Sequence, residues 1–297
     1  MSTGPLTEVL TRLREATTLL EEHQHQAEAQ REAKAQQEAE AQRVAQDEGY
    51  MFTSTEPMTG RCEICERGAL PWVQNLRALE VTKAQRTDEW YEARKQCVTA
   101  SELASILGQN PYCSRVQTLR RKLGIVENDH NSFACQHGND NEDRAIELYE
   151  RKTGHRVLSF GLMRSQVEGQ THLAGSPDGI THCGRLVEVK CPVSRQIIPG
   201  MVPGHYRSQI ELLMHITGIR VADFIQMGVA QGVFDITACP PTPAYYDIIR
   251  AKVDKFVDLL KEAREDDTAL AKYQRKRRTT PKPQDLSKTF AAGFILD

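Results

Sequence analysis

The sequence has no uninterrupted apolar run approaching the roughly 20 residues that a membrane-crossing helix needs, and hydrophobic residues make up 39% of it. A protein with no membrane span is expected. Excess positive charge is also absent: 38 Lys and Arg stand against 40 Asp and Glu, for a formal charge of -2. This excludes the global basic field that many nucleic-acid binders use for capture, so any such surface must be local. The opening residues, Met1-Ser2-Thr3-Gly4-Pro5-Leu6, lack a basic segment followed by an apolar core and do not read as a secretory signal. An intracellular location is expected, either cytoplasm or, for a eukaryotic host, the nucleus. The eight cysteines at 62, 65, 97, 113, 135, 183, 191 and 239 then face a reducing compartment and read as free thiols. One close pair exists, Cys62-Glu63-Ile64-Cys65, with no second CxxC or HxxxH near it. The pair is expected to be unligated, since only distant cysteines or histidines could complete a zinc site.

What is present divides the chain unevenly. Leu6, Val9, Leu10, Leu13 and Leu20 mark a short amphipathic face that suits a partner. From Glu21 to Glu48 the composition turns to Ala, Gln, Glu and Arg, so residues 1–48 read as a helical or disordered polar extension. Residues 49–82 read as a linker and accessory segment, with Gly49–Gly60 rich in turn formers. Denser patterning fills residues 83–270. A helix holding Trp90 and Arg94 runs towards Thr99 and Glu102, which have capping-box spacing. Ser114 caps a helix that ends before Gly124, and His137–Thr153 is a helix closed by Gly154. Strands are expected at Arg156–Met163, Leu173–Ile180, Arg185–Lys190, Val221–Met227 and Gly232–Ile236. Helices are expected at His205–Thr217 and Ala244–Ala263. The whole describes an α/β core, a mixed sheet flanked by helices. Residues 271–297 form a basic, proline-containing tail, in which Lys272, Arg275, Lys276, Arg277 and Arg278 could track phosphates or serve as a nuclear import signal.

The chemistry gathers in Ser176-Pro177-Asp178-Gly179 and Leu186-Val187-Glu188-Val189-Lys190. Residues two apart on a strand share a face, so Glu188 and Lys190 project together while Val187 and Val189 face the core behind them. The Pro177–Gly179 turn can hold Asp178 against Glu188 if the two segments form a hairpin. Two carboxylates at one point repel, and a hard divalent cation, Mg2+ with Mn2+ able to substitute, relieves the repulsion. Lys190 could orient a water or stabilise phosphate charge. Glu142 lies on the helical stripe of Ala145, Ile146 and Tyr149, where a carboxylate is costly unless paired. Gln209 lies beside Tyr206 and Leu213 towards the packed side, where its amide needs a partner. Arg120, Arg121 and Lys122 could touch DNA backbone, although a charge run on a helix usually reads as a solvated face.

The order Arg94…Thr99-Ala100-Ser101-Glu102, His137-Gly138-Asn139-x-x-Glu142, Ser176-Pro177-Asp178-Gly179, Glu188-Val189-Lys190-Cys191-Pro192, Tyr206-x-x-Gln209 resembles the lambda exonuclease and YqaJ-type viral recombinase family of PD-(D/E)XK nucleases. The resemblance covers about Arg86 to Met227. It implies a restriction-endonuclease-like core that resects double-stranded DNA from an end using two magnesium ions. Asp178 would bridge the metals, Glu188 and the Val189 carbonyl would complete one site, and Lys190 would act on the water. Glu142 would be an auxiliary acid, and Gln209 would lie near the scissile phosphate or Lys190. Arg94 and Ser101, with Tyr206, would hold DNA and its terminal 5'-phosphate. His137 stands where the family often has Trp and carries no expected ligand role. The principal expectation is a 5'-to-3' exonuclease of viral or phage-type recombination or genome processing, with a homo-oligomer and a single-strand annealing protein as candidate partners. An endonuclease or junction resolvase of the same fold is the second reading, and a non-catalytic DNA-binding scaffold that recruits an annealing protein is the third.

Overall fold

Among the described residues, short runs broken by glycine turns give nine strands, and longer runs of 3.6-residue periodicity give the helices that cover them. The computed structural model describes residues 49–127 and 132–274, with isolated positions at His25, Glu28, Arg31 and Glu32. The amphipathic face of residues 6–20, most of the polar extension and the basic run after Gln274 lie outside the described residues. In chain order the strands are β1 (Met51–Ser54), β2 (Val98–Thr99), β3 (Val157–Leu158), β4 (Met163–Arg164), β5 (Leu173–Gly175), β6 (Gly179–Thr181), β7 (Leu186–Lys190), β8 (Ala222–Gly228) and β9 (Val233–Cys239). The helices are α1 (Glu63–Arg67), α2 (Pro71–Asn75), α3 (Asp88–Lys95), α4 (Leu103–Leu107), α5 (Arg115–Lys122), α6 (Phe133–Thr153), α7 (Gly204–Thr217), α8 (Tyr245–Glu265) and α9 (Asp267–Gln274). No helix among the described residues is long and apolar enough to cross a membrane.

The main sheet has the order β1-β9-β8-β7-β6-β3 and mixes parallel with antiparallel pairs, while β2-β5-β4 make a small second sheet. Strand alternation separates two apolar layers. Val187, Val189, Ile225, Phe234 and Ile236 pack with Ala145, Leu148 and Tyr149 of α6. Leu186, Ala222 and Phe224 pack with Ile210, Leu213 and Met214 of α7 and Val253 and Phe256 of α8. β7 lies between β6 and β8 and is buried up to Lys190. A rigid, doubly covered strand therefore carries Glu188 and Lys190.

Two sequence expectations need correction. Arg156–Met163 and Leu173–Ile180 each divide into two strands, one in each sheet. At Gly161 the chain passes so close to the backbone of residue 82 that a Cβ would fall 1.8 Å from the Thr82 carbonyl oxygen. The Leu162 amide donates to Thr82 Oγ1 at 3.1 Å, which fixes that crossing. The second break lies at Ser176–Asp178, and it frees Asp178 from strand pairing. Nor is Gly49–Gly60 only a linker. Met51–Ser54 pairs in parallel with Val233–Ile236, and Phe52 stacks on Phe234 at 4.7 Å.

Glycine substitutions separate steric from conformational effects here. Gly161→Ala is expected to cost at least about 1–3 kcal/mol, because the obstacle is backbone. Gly138→Ala, in α6 with nothing within 4 Å of the new Cβ, is expected to gain up to about 1 kcal/mol. Urea midpoints for both variants check the opposite signs.

Candidate active site

β6 and β7 form the hairpin that the motif needs, with Gly179 opposite Val187. Asp178, one residue before β6, accepts a hydrogen bond from the Val189 amide at 2.7 Å. Glu188 is fully buried. One of its oxygens, Oε1, accepts from Lys190 Nζ and from Gln209 Nε2 at 2.5 Å. The other, Oε2, is buried with no hydrogen-bond partner. Lys190 Nζ lies 4.0 Å from Asp178 Oδ2 and 5.4 Å from the centre of the Tyr206 ring. Glu142, on α6, pairs with Arg86 at 2.6 Å.

Electrostatics bind these groups into one unit. Burial, then the Asp178 charge, pushes the Glu188 carboxyl up to about 8 against the pull of Lys190. Burial, then Asp178, pushes Glu142 up to about 7 against Arg86. Burial works against the Lys190 charge, but Glu188 and Asp178 outweigh it and hold the ammonium above its ordinary range. Three carboxylates thus share one place with too little positive charge to satisfy them, and one buried acceptor lacks a donor. A hard divalent cation fits that donor set.

The residues read from sequence fall into two groups. Asp178, Glu188, Lys190, Glu142 and Gln209 come together, although Gln209 bonds Glu188 rather than Lys190. Tyr206 belongs with them: its ring lies near Lys190 and 5.8 Å from the Arg195 guanidinium, not with Arg94 and Ser101. Arg94 and Ser101 meet in a separate cleft of about 580 Å³ that Tyr91, Lys95, Asn110, Arg121 and Lys122 also line. Arg94 Nη2 donates to the exposed Ser101 Oγ at 2.8 Å, with the guanidinium 4.2 Å above the Trp90 ring. Lys122 corrects the expectation of a solvated face. It is buried, pairs with Glu102 at 2.7 Å and donates to the Arg94 carbonyl.

Three supports escaped sequence reasoning. Trp90 Nε1 donates to Ser176 Oγ at 2.8 Å, which ties the helix of Arg94 to the turn that carries Asp178. Gln85 Nε2 donates to the carbonyl of Pro177 at 2.9 Å, and Arg86, at a left-handed φ of 62°, holds Glu142. These contacts span 86, 92 and 56 residues, and no local pattern announces them. The thiol pair has distant company: Cys62 and Cys65 stand with His155 and Cys183, all four ligand atoms lying within 4.8 Å of one another.

The raised carboxyls set a pH dependence. Glu188 and Glu142 bind protons more tightly in the fold than in an unfolded chain. The metal-free protein therefore loses stability as pH rises from 4.5 to about 8, while cation binding, which needs the carboxylates ionised, gains over the same window. If the carboxylates hold magnesium, the rise in Tm it produces is expected to grow across that window. Thermal melts with and without magnesium check this, and a magnesium shift that is constant with pH would contradict it.

Comparison with known proteins agrees with the geometry. Residues 89–220 match the YqaJ-like viral recombinase domain. The fold is similar to the crystal structure of an alkaline exonuclease from Laribacter hongkongensis, with a TM-score of 0.52 and 24% identity over 64% of this chain and all of that one. The complex of LHK-Exo with dAMP matches at a TM-score of 0.51 and 25% identity, over 59% of this chain and 93% of that one. Protein R354 of Acanthamoeba polyphaga mimivirus is 29% identical, over 48% of this chain and 29% of its own. Protein D345L of African swine fever virus is 28% identical, over 52% and 51%. The chain thus spans about half, or less, of the curated relatives it matches. Over residues 89–220, a little under half of its length, the chain is similar to the YqaJ-like viral recombinase family.

Proposed function

We propose that the protein is a magnesium-dependent deoxyribonuclease that degrades double-stranded DNA from an end, 5' to 3', in recombination or genome processing of the viral or phage type. One observation carries the nuclease reading: the unpartnered Glu188 Oε2, buried where Asp178 and Glu142 converge beside Lys190. A structural ion pair would satisfy its acceptors, whereas here one acceptor stays without a donor. The alkaline-exonuclease fold likeness supports the same reading.

Asp178, Glu188, Glu142 and the Val189 carbonyl would hold Mg2+, or Mn2+ in its place. When bound, the ion would relieve the carboxylate repulsion and polarise a phosphoryl oxygen. Lys190, charged and fixed by Glu188, would place its ammonium beside the phosphate under attack and stabilise the developing negative charge. Gln209 would position Glu188 by donating to Oε1, with Oε2 left without a donor. Arg94 and Ser101 would take the terminal 5'-phosphate, since a guanidinium fork and a hydroxyl suit an oxyanion. The Trp90–Ser176 hydrogen bond would keep that cleft in register with Asp178. This separate anion cleft favours an exonuclease over an endonuclease or resolvase.

Two measurements test the reading. Asp178→Asn and Glu188→Gln are expected to abolish magnesium-dependent cleavage while the circular-dichroism spectrum and DNA binding persist, and undiminished cleavage by either variant contradicts the site. Arg94→Ala is expected to slow digestion of 5'-phosphorylated duplex ends by about one to two decades, the worth of a charge-assisted contact, and 5'-hydroxyl ends much less. The readout is the ratio of initial rates on the two linear duplexes. If the wild type shows no preference, or the variant keeps it in full, the end-recognition role fails.

A further inference from the structure

We infer that Cys62, Cys65, His155 and Cys183 hold one structural zinc ion that staples residues 49–80 to the turn of the β6–β7 hairpin. Three thiols and an imidazole are a zinc-type donor set, and the Cys62–Cys65 spacing is that of one half of many zinc sites. The distances also fit. With Zn–S near 2.3 Å and Zn–N near 2.0–2.1 Å, a tetrahedral ion sets S to N edges of about 3.6 Å. Cys65 Sγ and Cys183 Sγ lie 3.7 and 3.4 Å from His155 Nδ1, and all four atoms fall within 4.8 Å of one another. An iron-sulfur cluster interposes its own atoms between its thiolates and needs wider spacing. Four protein ligands leave no open position, so the ion is structural and not catalytic.

The surrounding chain is arranged for that closure. Cys62 and Cys65 bracket the start of α1, a five-residue helix. Between Thr55 and Trp72, Cys65 is the one buried residue, so this stretch has almost no apolar core to hold it down. The other two ligands come from the nuclease core, and each adjoins a left-handed glycine that admits the incoming segment. At Gly154, next to His155, a Cβ would fall 2.4 Å from Arg61 Cα, and at Gly184, next to Cys183, one would fall 2.1 Å from Trp72 Cζ2. Hydrogen bonds fix the same approach: the Leu70 amide donates to the His182 carbonyl at 2.9 Å, and His182 Nδ1 lies 3.3 Å from the Cys65 carbonyl. Arg185, at the end of that turn, forms a double hydrogen bond with the buried Asp223 at 2.6 Å. The staple therefore lies at the opposite end of the hairpin from Asp178. It would fix the hairpin from behind while taking no part in the chemistry.

The test uses the full chain, purified without a metal-binding tag. Elemental analysis is expected to find about one zinc per chain in the wild type, lost in Cys62→Ser and Cys183→Ser and kept in His155→Cys, which supplies a fourth thiolate. Chelation followed by readdition of excess magnesium is expected to leave a lower Tm, which zinc restores. Should the serine variants fail to fold, cobalt exchanged into the wild type still decides, because tetrahedral thiolate ligation gives intense visible bands. Wild-type protein without stoichiometric zinc, iron with acid-labile sulfide in its place, zinc retained by Cys183→Ser, or a cobalt spectrum lacking thiolate bands would each overturn the inference.

Discussion

Bringing Glu142, Asp178 and Glu188 to one point costs free energy that nothing else in the described protein repays. The Asp178 charge opposes ionisation of Glu188 and Glu142, and Glu188 is removed from water altogether. Lys190 and Arg86 supply two positive charges against three negative ones, and both are committed: Lys190 to Glu188, Arg86 to Glu142. Such an arrangement persists only because the fold over-determines it. β7 cannot move without disturbing apolar layers on both its faces, and Asp178 is held by the backbone of the same strand. The rest of the molecule is best understood as the frame that keeps this repulsion in place.

That frame depends on chain crossings more than on strand length. The breaks at Gly161 and at Ser176–Asp178 carry the chain between the two sheets, and the second leaves Asp178 outside strand pairing. Gln85, Arg86 and Trp90 then grip the turn and Glu142 from the loop and helix beside the Arg94–Ser101 cleft. Rigid coupling of this kind would let DNA held at one place present a fixed phosphate to another. The cysteine and histidine cluster behind the hairpin adds a second anchor at its other end.

Sequence reading reached the elements whose cause is local. The capping pair Thr99 with Glu102, the Ser114 cap, the left-handed glycines after α5 and α6, and the alternation in Leu186–Lys190 all depend on neighbours within a turn or a strand. Asp178, Glu188, Lys190, Glu142 and Gln209 were legible because motif order adds to local pattern. The sequence does not disclose what is set by distant contact. The split of Arg156–Met163 depends on Thr82, and the edge strand at Met51–Ser54 depends on β9. The ligand cluster joins residues up to 121 apart, from Cys62 to Cys183. The neighbours of Tyr206 are hidden for the same reason: its helix position is readable, but not that its ring meets Lys190 and Arg195.

The central claim is that the three carboxylates exist to hold a divalent cation. Crystals grown with manganese, measured for anomalous scattering, test it without reference to cleavage. The account predicts manganese density contacting Asp178 and Glu188, with the previously unpartnered Glu188 Oε2 among its ligands. Well-ordered Asp178 and Glu188 side chains with no anomalous density between them, at manganese concentrations that saturate the thermal shift, would contradict it.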